Sequence, residues 1–222
     1  NDTLVFEWRY GYTPQIVNIS DYLVDGENIF FVRAKQEGAN SRWYTGAGLF
    51  RNIWLHELGE VYVAPDDYYI HQEKKSMHQW SLTIDTVMTN RSGYHEKVRL
   101  AHRLFDANHQ VVAFDQQEVG LGHQTTNCAT LTINDPLLWD PDSPHLYRLE
   151  TQVVVKDQIQ TIHHRVGFRK IEVDADDGLK LNGQHIKLQG VCQHHDLGAL
   201  GSAVNRQAIR RQLLILDRKS VV

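Results

Sequence analysis

The sequence has few cysteines, no excess of positive charge and no long apolar run. Its two cysteines, Cys128 and Cys192, are far apart, which excludes a disulfide scaffold and a Cys-rich zinc site, and we expect both thiols to be buried. With 23 basic against 27 acidic residues and no basic stripe, neither nucleic acid nor an anionic membrane surface is an expected partner. No stretch approaches the roughly 20 apolar residues of a membrane span.

The first residues, NDTLVFEWRY, lack the basic, apolar and small-residue pattern of a signal peptide. A mature chain would lack that pattern as well. Periplasmic, secreted and cytoplasmic locations therefore all stay open.

Strand patterns dominate the chain as far as about residue 190. In the segment WSLTIDTVM, Trp80, Leu82 and Ile84 fall on one face and polar residues fall on the other, which is the period of two that a half-buried strand requires. A proline-rich stretch at 135–147 is predicted as a loop. The predicted strands are 28–34, 52–58, 61–64, 80–88, 96–106, 110–119, 127–133, 146–155 and 159–168.

The chain changes character near its end. The segment GLKLNGQHIKLQGV predicts two short strands around a turn at Asn182 and Gly183. Ile209, Leu213 and Leu216 have helical spacing, so an amphipathic helix is predicted there. A strand, a long loop and a helix open an α/β unit. Because nothing in the sequence completes that unit, we expect a chain cut off from a larger fold.

Two motifs suggest ligand-binding loops but lack essential residues. GAGLFR, residues 46–51, has Arg51 where a dinucleotide-binding loop needs its third glycine, and no βαβ unit surrounds it. EVDADDG, residues 172–178, lacks the alternating acidic positions of a calcium loop. An exposed acidic turn is predicted for the second motif.

The stretch SRWYTGAGLFRNIWL, residues 41–55, concentrates aromatic and arginine side chains around small residues. One interpretation is a platform for a sugar ring, because Trp faces and Arg donors suit a ring with hydroxyl groups. The other is a loop packed by its own aromatic side chains against a neighbouring domain.

The stretch GVCQHHDLG, residues 190–198, raises the question of a metal site. Successive side chains of an extended chain point to opposite faces, so His194 and His195 could share one metal only if the loop bends sharply. Only Asp196 offers a third ligand. A metal site is therefore the weaker interpretation.

Both stretches resemble one family. The segment GYTPQIVNISDYLVDGENIFFVRAKQEGANSRWYTGAGLFRNIWL is similar to the end of the sugar-binding jelly-roll domain of family 2 glycoside hydrolases, which include β-galactosidases, β-glucuronidases and β-mannosidases. VGFRKIE, NGQHIKLQGV and HHD resemble the family's link from an immunoglobulin-like sandwich into the first strand of its catalytic barrel. The HHDLGALG version is most similar to the β-galactosidases.

The resemblance implies a mainly β fold in three parts. Residues 1–64 would be the C-terminal part of a jelly-roll (galactose-binding-like) domain, and residues 65–172 an immunoglobulin-like β-sandwich. Residues 173–222 would be the first β/α unit of a truncated TIM barrel.

The resemblance also implies which residues meet the substrate. His194 would follow the first barrel strand and bind substrate hydroxyls at the C-terminal face, where barrel active sites are built. The family's usual GVNRH is GVCQH here, so Cys192 and Gln193 replace an Asn and an Arg, and the contacts of those positions are in question. The expected substrate-binding residues are His194, His195, Asp196, Asn40, Arg42 and Trp43.

No catalytic residue is assigned in this chain. Retaining glycosidases use two carboxyl groups about 5 Å apart, one as acid/base and one as nucleophile. In the family both are glutamates on later barrel strands, and none of the 27 acidic residues lies in a matching motif. We expect the 222-residue chain alone to be inactive and to need no cofactor or metal.

The leading hypothesis is a part of a retaining exo-glycosidase that hydrolyses terminal β-glycosides, above all β-galactosides. This chain would supply accessory domains and one loop at the barrel rim.

The alternative is a non-catalytic β-sandwich module that binds carbohydrate or protein, and a third hypothesis is a metal-dependent hydrolase. The expected partner is a β-glycoside. Exposed sheet edges predict poor solubility or self-association, which leaves a homo-oligomer open.

Overall fold

The structure is a computed structural model that describes residues 2–38, 48–49, 51–188, 190–194, 197, 200–201 and 205–219. The chain divides into two compact units, one of Asn1–His56 with Leu188–Val222 and one of Glu57–Lys187. The elements are a 3-10 helix (Ser20–Tyr22), β1 (Val61–Tyr62), β2 (Tyr68–Lys74), β3 (Gln79–Asn90), β4 (Glu96–Phe105), β5 (Val111–Leu121), β6 (Gln124–Asn134), β7 (Tyr147–Val155), β8 (Gln158–Val166), β9 (Ile171–Asp174), β10 (Gly178–Leu181), β11 (Gln184–His185) and α1 (Arg206–Lys219).

The second unit is a sandwich of two antiparallel sheets. In the first sheet β3 lies in the middle, with β6 along one edge and with β1 and β2 along the other. The second sheet has the order β5-β4-β7-β8. The prediction of a mainly β chain with a β-sandwich is confirmed. The strands predicted between residues 80 and 168 all form, with ends that shift by a few residues.

Two apolar clusters fill the space between the sheets. The alternation predicted for β3 is confirmed, since Trp80, Leu82 and Ile84 are at most 3% exposed. Burying a side chain of this size stabilises a fold by roughly 1.5–3 kcal/mol. The first cluster is Trp80, Leu82, Ile84, Leu104, Leu131, Ile133, Tyr147, Leu149, Val166 and Phe168. The second is Val61, Val63, Met88, Val98, Leu100, Leu121, Val153 and Val155.

Strands β9, β10 and β11 form a small separate sheet. The predicted hairpin is confirmed, with Asn182 at φ 53° and Gly183 at φ 83° in the turn between β10 and β11. The predicted acidic turn also forms, because the backbone N–H groups of Asp176 and Asp177 donate to the carboxylate of Asp174. These two hydrogen bonds lower the pKa of Asp174.

Two strand predictions in the N-terminal part of the chain are wrong. Residues 28–34 and 52–58 do not form strands, although their composition favours them. A strand exists only where a neighbouring backbone completes its hydrogen-bonded ladder, so a suitable composition does not by itself make a strand. The predicted C-terminal helix is confirmed as α1. The jelly-roll and barrel assignments and their boundaries stay predictions.

The expectation of two buried thiols is wrong. Both Cys128 and Cys192 are exposed. Cys128 lies opposite Asp85 in the pairing of β3 with β6, on the outward side of that sheet. A hydrogen bond with Asp85 raises the pKa of the Cys128 thiol. The alternating pattern of β6 decides the orientation of Cys128, and the general tendency of cysteine to be buried does not.

Candidate functional site

The segment 190–194 carries His194, the one predicted substrate-binding residue that the structure describes. The segment has no regular secondary structure, and the His194 side chain is exposed. The side-chain amide of the preceding residue, Gln193, donates from Nε2 to Oε1 of Gln212 on α1. A side chain next to His194 is therefore tied to the helix of the same unit.

The start of α1 is fixed by Asn205. Its Oδ1 accepts a hydrogen bond from the N–H of Ala208 at 2.8 Å, and its carbonyl accepts one from Ile209 at 3.2 Å. Asparagine is among the preferred N-cap residues because its short side chain satisfies an otherwise unpaired N–H group of the first turn. Asn205 therefore sets where the helix begins.

The other five predicted site residues lie outside the described residues. They are Asn40, Arg42, Trp43, His195 and Asp196, so the structure brings none of them together with His194. In the described part of the chain, no group of three His, Cys, Asp or Glu residues could hold a metal ion. The described helices include none with the length and apolar character to cross a bilayer.

Asn182 connects the small sheet to the end of the sandwich. Its Oδ1 accepts from the N–H of Lys170 at 2.9 Å, and its Nδ2 donates to the carbonyl of Trp139 at 3.1 Å. The guanidinium of Arg169 lies 4.9 Å from the centre of the Trp139 ring. A Cβ atom at Gly167 would lie only 3.0 Å from Cβ of Trp139, so a larger residue there would require Trp139 to shift by a few tenths of an ångström. We call Trp139, Gly167, Arg169, Lys170 and Asn182 the hairpin junction.

Two carboxyl groups that are largely buried in the sandwich are held by basic side chains. Glu96 lies 2.6 Å from Nζ of Lys156. The oxygens of Glu150 lie 3.4 Å from Nη1 of Arg103 and 3.1 Å from Nη1 of Arg148. Each carboxylate forms structural ion pairs with basic side chains. A retaining glycosidase instead uses two carboxyl groups that face each other.

A layer of polar side chains crosses the interior of the sandwich, and the sequence analysis did not predict it. We call this layer the polar belt. Its members are Tyr68 on β2, Thr86 on β3, His102 on β4, Thr151 on β7 and His164 on β8. Thr86, His102 and Thr151 are completely buried. Polar groups in such a position are costly unless they are hydrogen-bonded.

Part of the polar belt is connected by hydrogen bonds and ring stacking. Nδ1 of His102 lies 2.9 Å from the hydroxyl oxygen of Thr151, which also hydrogen-bonds with the hydroxyl of Tyr68. The ring of Tyr68 stacks on that of His164, with centroids 4.5 Å apart. The sequence did contain a signal, since His102 occupies an inward position between Leu100 and Leu104.

Burial shifts the pKa values of the belt residues towards their neutral forms. Burial lowers the pKa of His102 to about 4, although the carboxylate of Asp115 opposes the shift. Burial raises the pKa of Tyr68 to about 12, against the opposing hydrogen bond with Thr151. The pKa of His164 is lowered by burial first and by neighbouring His163 second.

Comparison with known proteins identifies the sandwich. Residues 61–169 match the family model of Glycosyl hydrolases family 2. The chain is 38% identical over 212 residues to Beta-galactosidase BoGH2A of Bacteroides ovatus, which covers 93% of this chain and 25% of that protein. It is 29% identical over 206 residues to a putative beta-glucuronidase of Formosa agariphila, covering 92% of this chain and 19% of that one.

A solved structure agrees with these sequence matches. The glycosyl hydrolase family 2 member from Bacteroides cellulosilyticus superimposes with a TM-score of 0.72 at 29% identity, over 83% of this chain and 26% of that chain. The fold and the matches thus define the class, a β-sandwich domain of glycoside hydrolases. This domain, residues 61–169, belongs to glycosyl hydrolases family 2, and the resemblance indicated by the sequence is confirmed. The chain spans between about a fifth and a quarter of the length of these relatives.

Proposed function

We propose that this chain is part of a retaining exo-glycosidase that hydrolyses terminal β-glycosides, with β-galactosides as its substrate class. The observation that carries the proposal is the 38% identity to a β-galactosidase over 212 residues, together with the family match at 61–169. A second relative is named a putative beta-glucuronidase. A β-glucuronide is therefore the competing substrate in any test.

In this proposal the chain holds the substrate-binding segment and does not perform the chemistry. The hairpin junction anchors β10 and β11 to the end of the sandwich through Asn182. The chain continues from β11 into the segment that carries His194, whose imidazole would bind hydroxyl groups of the sugar. The paired catalytic carboxyl groups would come from outside these 222 residues.

A graft tests the proposed activity. The aligned region of the Bacteroides ovatus β-galactosidase is replaced by this chain, and hydrolysis of nitrophenyl β-galactoside and β-glucuronide is measured for the graft and for the 222-residue chain alone. We expect the graft to prefer the galactoside and the chain alone to show no turnover. Turnover by the chain alone, or a graft that prefers the glucuronide, contradicts the proposal.

The role of His194 is tested in the same graft. Replacing His194 by Ala removes a hydrogen bond to the substrate, so we expect kcat/KM to fall about tenfold or more. His185→Ala is the matched control, because His185 is an exposed histidine on β11. Equal activity of both variants would remove His194 from the substrate site.

One observation favours the alternative of a glycan-binding module. Every second residue from Phe6 to Tyr12 is aromatic, and these side chains are 41–58% exposed. The rings of Phe6 and Trp8 lie nearly parallel, with centroids 6.1 Å apart. Micromolar binding of an oligosaccharide by the chain alone, followed by tryptophan fluorescence and lost in Trp8→Ala, would put this function ahead of the enzymatic one.

A further inference from the structure

The polar belt lies between the two apolar clusters of the sandwich. On three strands a fully buried belt residue occupies the inward position that separates the clusters. These positions are Thr86 between Ile84 and Met88, His102 between Leu104 and Leu100, and Thr151 between Leu149 and Val153. The interior is therefore divided by a polar layer, where a continuous apolar core would be the more stable arrangement.

Hydrogen bonds in this layer join one sheet to the other. The hydroxyl of Tyr68 on β2 meets that of Thr151 on β7, and Nδ2 of Asn127 on β6 donates to Oε1 of Gln117 on β5 at 2.9 Å. The layer is only partly satisfied. Three buried atoms of the belt have no hydrogen-bond partner among the described residues, namely Thr86 Oγ1, His102 Nε2 and His164 Nε2, and the same holds for Oδ1 of Asn127, which lies opposite Thr86 in the pairing of β3 with β6. Each such atom is desolvated without compensation.

We propose that the polar belt is an acid-sensitive latch between the two sheets, which opens when His102 takes up a proton. A protonated imidazole donates from both nitrogens, so it needs two acceptors. Thr151 can accept from Nδ1, but Nε2 is buried with no hydrogen-bond partner in the described part of the chain. The charged form of His102 is therefore stabilised only when the sheets separate and water reaches Nε2.

The titratable groups around His102 do not provide another way to stabilise its protonated form while the sheets stay together. Asp115 on β5 is the carboxylate that favours its charged form, and burial outweighs that attraction. Tyr68 reaches the site from β2 through Thr151 and stays neutral across the acid range, because its pKa is raised. His164 on β8 stacks on Tyr68, and His163 beside it opposes any further positive charge.

The direction of the pH dependence follows from the lowered pKa of His102. The unfolded chain takes up this proton near pH 6.5, whereas the folded chain does so only near pH 4. The unfolded state binds more protons between these values. The stability that neutral His102 confers is thus present above about pH 6.5 and is lost as the pH falls towards 4.

The test compares the unfolding of the 222-residue chain with that of His102→Asn between neutral pH and about pH 4. Asparagine keeps a group near Nδ1 that can bond Thr151 but does not titrate. The matched control is His109→Asn, because His109 is exposed and its φ of 63° suits asparagine. Between neutral pH and about pH 4, we expect the unfolding equilibrium constants of the wild type and of the control to rise about a hundredfold more than that of His102→Asn.

An identical pH dependence in all three proteins would overturn the proposal. If His102→Asn does not fold, the titration of the wild-type histidines, followed by NMR, decides instead. We expect His102 to stay neutral in the folded protein until the pH approaches 4. A folded protein in which His102 titrates near 6.5, the ordinary value for histidine, would refute the latch.

Discussion

Asn182 shows how one residue can hold two parts of the second unit together. It occupies a left-handed conformation, and its side chain bonds both Lys170 and Trp139. We expect Asn182→Ala to lower the free energy of unfolding by about 2–3 kcal/mol, since two hydrogen bonds are lost and a left-handed alanine is strained. Urea unfolding, monitored by the fluorescence of Trp139 and the other tryptophans, measures the loss.

A second variant separates the two causes. Asn182→Gly also loses the side-chain bonds but accepts a positive φ without strain, so its loss should be smaller by about 1 kcal/mol. Equal losses in the Ala and Gly variants would show that backbone strain does not contribute. An unchanged stability in both would mean that the hairpin junction does not depend on Asn182.

At the scale of elements, α1 depends on its cap more than on burial. Its apolar residues remain substantially exposed, for example Leu213 at 53% and Leu214 at 45%. Short helices without tertiary packing are marginal in water. We therefore expect Asn205→Ala to destabilise the helix by about 1 kcal/mol, whereas Asn205→Asp keeps the cap.

Hydrogen exchange at the Ala208 amide reports this change directly, because that N–H donates to Asn205. Exchange should be faster in Asn205→Ala and close to wild type in Asn205→Asp. Far-UV circular dichroism should show the matching loss of helix. Slow exchange in the Ala variant would mean that packing, and not the cap, holds the first turn.

At the scale of the whole molecule, the two units differ in how much apolar surface they expose. The first unit exposes a run of large apolar side chains, namely Ile29, Phe30, Phe31 and Val32, at 55–86%. Contiguous apolar surface of this kind promotes association. We expect light scattering to show species heavier than the 25.6 kDa monomer for the full chain.

The second unit provides the control for that experiment. Residues 57–187 contain both apolar clusters and all the described strands, so we expect them to form a monomer that unfolds cooperatively. A monodisperse monomer of the full chain would contradict the predicted association, and association of residues 57–187 alone would place the associating surface in the second unit.

Local sequence patterns were enough to predict the elements whose own residues define them. The alternation around Leu82 predicts β3, the Asn-Gly pair predicts the hairpin, and the spacing of Ile209 and Leu213 predicts α1. The strands expected at 28–34 and 52–58 have suitable residues but do not form. Composition describes what a strand is made of, whereas a ladder requires a partner that the segment itself does not contain.

Most of the candidate site could not be derived from spacing. Resemblance to the family pointed to His194, which the structure places in an exposed segment beside α1. The polar belt as a whole has no local signature, because its residues lie on five strands that meet only after both sheets have packed. The one local signal is the inward position of His102 between Leu100 and Leu104, and that position does not reveal the partners of His102.

The sequence by itself determined the class of fold, the positions of sandwich strands β3 to β8, the turn at Asn182 and the family, whereas β2 was not predicted. These follow from side-chain periodicity, turn chemistry and long motifs, all of which act within a short stretch of chain. Only the tertiary structure decided that His102 is neutral and buried, that Cys128 faces outwards, and that Asn182 bonds Trp139 across 43 residues. Those properties depend on which strands become neighbours, and the burial that results sets the electrostatics.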